Sequence, residues 1–165
     1  MMLQNSLTYA YKLESQQSTL AEGTKLYHGA AGRGAEAIKS RGINLELGNG
    51  ALRRGFYTTT LRALADAYAA ANVGKTSLLL VNKDVCLIKI EEHIQEPDAI
   101  RNAPINVLYV SELRNTLSPL RLDCLISRDN VPGPAGGDVR GPEFLFWTES
   151  QKSKLSVQGF SFMLI

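Results

Sequence analysis

Gly55-Phe56-Tyr57-Thr58-Thr59-Thr60, followed at once by Leu61-Arg62-Ala63-Leu64-Ala65-Asp66-Ala67-Tyr68-Ala69-Ala70-Ala71, decides how this chain is read as a fold. Aromatic and β-branched residues fill the first part, and such side chains suit the half-buried surface of a pleated strand. Residues 61–71 are rich in Ala and Leu, which lose little freedom in a helix. A strand at 55–60 running straight into a helix at 61–71 is therefore predicted.

Upstream of this pair, 24–27 predicts a short strand and 35–41 a short helix, which Gly42 would end as a left-handed cap. Residues 44–54 carry Gly48 and Gly50 and read as a mobile loop. Residues 1–22 are polar and mixed; they are expected to be a lead-in segment, with the folded domain spanning 23–165. Downstream, the apolar runs 77–81 and 85–90 flank Asn82-Lys83-Asp84, and this turn-rich bridge predicts an antiparallel pair. Further strands are expected at 107–110, 122–126, 143–148 and 156–164. Residues 127–142, with four glycines and three prolines, read as one long loop. Many short strands, with few helices and those in the first half, imply an α+β domain rather than a doubly wound sheet.

Length and composition agree with one such domain. The 165 residues are 44% hydrophobic and 21% charged, which is ordinary for a folded globular chain. A net charge of +2 leaves no footprint for a phosphate backbone, so nucleic acid is an unlikely partner. Neither a secretory leader nor an apolar run of about 18 residues is visible. The expectation is a soluble chain without a membrane association, either cytoplasmic or exported by a specialised route. Cys86 and Cys124 sit far apart in apolar runs, and two buried free thiols are favoured over a disulfide. His93 follows Glu91 and Glu92 with no second histidine at ligand spacing, so a solvated histidine and no metal site are expected.

Two glycine patterns are decoys. Gly74-Lys75-Thr76-Ser77 looks like the end of a phosphate-binding loop, but position 69 is Ala69 and the stretch follows a helix. Neither Gly48-Asn49-Gly50 nor Gly136-Gly137 completes the dinucleotide-binding glycine pattern between a strand and a helix.

Chemistry concentrates elsewhere. Leu26-Tyr27-His28-Gly29 ends a predicted strand with a histidine and a glycine whose backbone can approach a flat carboxamide. Tyr57 stands on the central strand and Tyr68 on the helix after it. Two such rings can sandwich a planar cation. Glu143 opens the apolar run Glu143-Phe144-Leu145-Phe146-Trp147 directly after the Gly- and Pro-rich stretch.

In their order and spacing these elements resemble the ADP-ribosyltransferase superfamily, in the poly(ADP-ribose) polymerase-like or diphtheria-toxin-like branch marked by His, Tyr and Glu. The resemblance covers about residues 26–155. Its first element is His28-Gly29-Ala30 with Ile38 and Gly42-Ile43, its second Gly55-Phe56-Tyr57-Thr58 with Tyr68, and its third Glu143-Phe144-Leu145-Phe146-Trp147-Thr148. The resemblance implies split antiparallel sheets with a few short helices and an NAD cleft between them.

It further implies NAD as co-substrate, Glu143, His28 and Tyr57 as catalytic residues, and His28, Gly29, Tyr57 and Tyr68 as NAD contacts. Residues 44–54 stand where the family places a donor loop; Arg53 or Arg54 could meet the pyrophosphate there, although exposed arginines beside a loop are usually just solvated. Glu149 competes with Glu143 but falls in the turn beyond the strand. The implied activity is mono-ADP-ribosylation of a protein acceptor, which could be a host protein in the manner of bacterial toxins and effectors. The stretch before the catalytic strand, 127–142, is where that acceptor would be met. Two positions depart from the pattern: Ala30 and Ala65 stand where the branch usually carries hydroxyls. They motivate the rival reading of a non-catalytic NAD or ADP-ribose binding module. Transfer to a small molecule or a nucleic acid is the alternative within the enzymes.

Overall fold

A computed structural model describes residues 17–50, 53–90, 123–134 and 137–160. In chain order they form β1 (Gln17–Leu20), β2 (Lys25–Ala30), α1 (Gly34–Arg41), β3 (Asn49–Gly50), β4 (Arg53–Arg54), β5 (Phe56–Thr58), α2 (Arg62–Ala71), β6 (Lys75–Val81), β7 (Val85–Ile90), β8 (Leu125–Pro132), β9 (Arg140–Phe146), α3 (Glu149–Lys152) and β10 (Leu155–Phe160). The class is α+β, and the opening strand and helix are β5 and α2. The strand expected at 107–110 and His93 lie outside the described residues. No helix among those described is long and apolar enough to cross a membrane.

The strands make a five-stranded sheet, ordered β1-β7-β8-β9-β5, and a three-stranded sheet, ordered β10-β6-β2. Leu26, Leu79, Val81, Val85, Leu125 and Phe146, drawn from both sheets, pack into one core cluster. Strand alternation explains the choice of residues: Leu79 and Val81 of β6 are buried, whereas Leu78 and Leu80, alternating with them, are only partly so. Each fully buried leucine or phenylalanine contributes about 1.5–3 kcal/mol through water removed from apolar surface.

Several expectations are corrected. The runs 77–81 and 85–90 do not pair with each other; β6 pairs with β2 and β10, and β7 with β1 and β8. Asn82-Lys83-Asp84 is a crossover between sheets, which lets Val81 and Val85 enter the same core. The large sheet is not wholly antiparallel, because β7 and β8 run parallel with Leu87 opposite Leu125. One residue back on each strand, that register puts Cys86 beside Cys124 with Cα atoms 4.5 Å apart, and the two form a disulfide. Nor is 127–142 a single loop: β8 and β9 claim most of it, their antiparallel ladder interrupted between Arg128 and Val131. Within the supposed lead-in, Leu20 of β1 pairs with Val85 and is buried.

The helices follow their sequence signals. α1 carries Glu36 in its first turn and Lys39 and Arg41 in its last, complementing the helix dipole. Gly42 ends it at φ 87°, and its N–H donates to the Ile38 carbonyl at 2.9 Å. Segment 44–54, expected as a mobile loop, instead holds a short β3–β4 ladder, with Asn49 opposite Arg54 and Gly50 opposite Arg53.

Candidate functional site

β2 is the edge of the small sheet and β5 the edge of the large one. Where they meet, a single antiparallel rung joins them: the Tyr27 N–H donates to the Thr59 carbonyl at 2.8 Å, and the Thr59 N–H to the Tyr27 carbonyl at 2.9 Å. Beyond this rung the sheets part, and two neighbouring cavities of about 480 and 890 Å³ open beside it. His28 and Gly29 line both.

α2 walls the smaller cavity, called the inner one below, by packing on β2 at Gly29. A Cβ at Gly29 would stand 2.9 Å from the Ala69 nitrogen and 2.9 Å from the Tyr68 Cβ, and closer still to the Ala65 carbonyl oxygen. The glycine is therefore required by the approach of the helix. Small residues on that face of α2, Ala65 and Ala69, are both buried and permit the approach.

The structure brings His28, Gly29, Tyr57, Tyr68 and Glu143 together around this one cavity. Tyr57 and Glu143 share a face of the large sheet because Tyr57 pairs with Leu145, two residues along β9. The His28 ring stacks on Phe56 with centroids 4.2 Å apart. Its Nδ1 lies 2.6 Å from the Tyr57 carbonyl oxygen, which can only accept, so Nδ1 carries the proton. In the neutral ring Nε2 is then an acceptor. Burial pushes the His28 pKa below its ordinary value, and the bond to Tyr57 only partly opposes this.

The Tyr68 hydroxyl donates to the Pro132 carbonyl at 2.8 Å, which fixes the ring against β8. Burial, then the Glu143 carboxylate, hold the phenol above its usual range, with the Arg128 charge acting the other way. Glu143 is itself fixed. Arg128 Nε and Nη2 both donate to its Oε2, at 3.0 and 2.8 Å, with the two side chains 22% and 14% exposed. Arg128 lines the same cavity, and no motif in the sequence singles it out. It lies across the β8–β9 ladder from Glu143, and nothing in the spacing of the two residues announces that register.

The larger, outer cavity is lined by α1, the 44–48 segment and the start of α3, and bears Arg41, Arg54 and Lys152. Arg54 pairs with Glu46 at 2.9 Å, both side chains well exposed. Lys152 donates to the Ile43 carbonyl at 2.9 Å and pairs with Glu149 at 3.1 Å. Glu149 thus belongs to the outer cavity, away from Tyr57 and Glu143. The Arg53 side chain lies outside what is described. Among the described residues no group of His, Cys, Asp or Glu is placed to hold a metal ion. Of the loop-like Gly74-Lys75-Thr76-Ser77, the last three residues belong to β6, with Lys75 bonded to Glu36 and Thr76 to Asp66.

No protein-family model and no curated protein matches the chain. Among solved structures, the M. tuberculosis MbcT–MbcA toxin–antitoxin complex is matched at 11% identity and a TM-score of 0.47, over 98% of this chain and 93% of that chain. A likeness at that level assigns no role to any residue.

Proposed function

We propose that this chain is an NAD⁺-dependent mono-ADP-ribosyltransferase that moves ADP-ribose to a protein acceptor and releases nicotinamide. The observation that carries the reading is the convergence of His28, Gly29, Tyr57, Tyr68 and Glu143 on one cavity, although they arise from three strands and a helix. These are the positions that the sequence resemblance singles out.

In this reading the nicotinamide ring enters the inner cavity against Tyr57 and Tyr68, and its carboxamide meets the Gly29 backbone. His28 Nε2 accepts a hydrogen bond from the adenosine ribose. The pyrophosphate lies toward the outer cavity, where Arg41, Arg54 and Lys152 supply positive charge. Cleavage of the bond between ribose C1′ and nicotinamide sends its electron pair to the leaving ring and positive charge to the sugar. Glu143 accepts from the 2′-hydroxyl of that ribose and stabilises the cation, as carboxylates do in glycoside cleavage. The acceptor then attacks C1′ and loses its proton.

A near-neutral chain suits a protein acceptor better than a nucleic acid, and a stand-alone transferase of this kind resembles bacterial toxins and effectors. The test is labelled NAD⁺ with a cell lysate. Glu143→Gln keeps an acceptor for Arg128, so the fold should persist while transfer and nicotinamide release fall by about 10²–10³-fold. Full activity in that variant would overturn the reading. The buried Ala30 and Ala65 favour a second one, a non-catalytic NAD-binding module, because neither offers a hydroxyl to the ligand. Calorimetric NAD⁺ binding by the native chain without nicotinamide release would establish it.

A further inference from the structure

Both N–H groups that Arg128 directs at Glu143 converge on one oxygen, Oε2. Oε1 makes no hydrogen bond among the described residues. The pair is mostly enclosed, and it occupies the last regular rung of the β8–β9 ladder before the interruption between Arg128 and Val131. Asn130 sits inside that interruption at φ 55°, the left-handed conformation of a residue accommodating a bulge. A bulge inserts one residue and turns the strand, so Arg128 stands where a regular strand would stop and is aimed at the cavity it lines.

We propose that Arg128 is a positioning residue: it clamps Glu143 through Oε2 and thereby presents Oε1, in one orientation, to the sugar in the inner cavity. This rests on the transferase reading above. A glutamate side chain has three rotatable torsions, and a carboxylate free to swing would form its transition-state bond only part of the time. Two charge-assisted donors from a planar fork remove that freedom in a way that a lysine, a single point of charge, reproduces only in part.

The test compares the native chain with Arg128→Gln, Arg128→Lys, Glu143→Gln and the double variant Arg128→Gln/Glu143→Gln. Nicotinamide release gives kcat and KM, calorimetry gives the Kd for NAD⁺, and circular dichroism gives the Tm. Arg128→Gln should lower kcat about 10²-fold, the scale of a small misplacement of a catalytic group, with KM changed less than about threefold. Arg128→Lys should recover part of that loss. In the Glu143→Gln background the Arg128 change should cost nothing further, because the group it orients is already gone.

Equal losses in both backgrounds, or a KM rise matching the fall in kcat, would overturn the proposal in favour of direct substrate contact. A fall in Tm with unchanged kcat would reduce the pair to a structural one. If the native chain binds NAD⁺ without cleaving it, the transferase reading fails by itself. The same double-variant comparison made on Kd then decides whether the two residues act as a unit. A chain that neither cleaves nor binds NAD⁺ overturns both.

Discussion

The inner and outer cavities share His28 and Gly29 but are built from opposite materials. Around the inner one, Tyr57 and Glu143 stand on ladder strands, Tyr68 is tied to Pro132, His28 to Tyr57, and Glu143 to Arg128. Around the outer one, the charges sit on two short helices, a turn and a two-residue ladder, and Arg54 and Glu46 pair while remaining 67% and 73% exposed. Exposed pairs of that kind are worth about 0–1 kcal/mol. The contrast teaches a division between the two: the groups of the inner cavity are fixed by strand register and by bonds to the backbone and to Arg128, while the charges of the outer one are held largely by exposed side-chain pairs.

The largest test of that contrast is Gly29→Ala. The added methyl must push α2 off β2, and overpacking of this kind costs about 1–3 kcal/mol. A lowered Tm together with at least tenfold weaker NAD⁺ binding is expected from thermal melts and calorimetry. An unchanged Tm would show that the contact between Gly29 and α2 is softer than the geometry implies.

A smaller effect should follow pH. The unfolded chain takes up the His28 proton near 6.5, whereas the folded chain resists it until lower pH. Stability is therefore whole above that value and is lost as pH falls through it toward the depressed folded pKa. Melts between about pH 7 and 5 should slope more steeply for the native chain than for His28→Gln. Parallel slopes would mean that the ring is not held neutral by burial. The smallest effect is expected at the outer cavity, where Glu149→Gln should leave nicotinamide release within about twofold, as for an exposed partner of Lys152. A tenfold loss there would erase the division between the two cavities.

The parts of this arrangement carried by local pattern were legible. Phe56 to Thr58, the alanine-rich helix with Tyr68, and the strand that carries Leu26 and Tyr27 could be read from side-chain shape and periodicity alone, although that strand continues through His28-Gly29 to Ala30. What escaped depends on partners distant in the chain. Asn82-Lys83-Asp84 has the chemistry of a turn, and turn chemistry does not distinguish a hairpin from a crossover between sheets. Pro132 and Pro142 made 127–142 look like a loop, yet prolines are tolerated in strands beside a ladder interruption such as the one after Arg128. The pairing of Cys86 with Cys124, and of Arg128 with Glu143, are consequences of strand register, which neither composition nor spacing encodes.

The rung between Tyr27 and Thr59 bears on how a ligand reaches this site. β2 and β5 are both edge strands, and their reciprocal bonds cap two edges that would otherwise offer unpaired N–H and C=O groups to any extended chain. Prying the sheets apart would strip that protection and create two adhesive borders at once. The rung therefore keeps the two sheets joined at the corner beside which both cavities open.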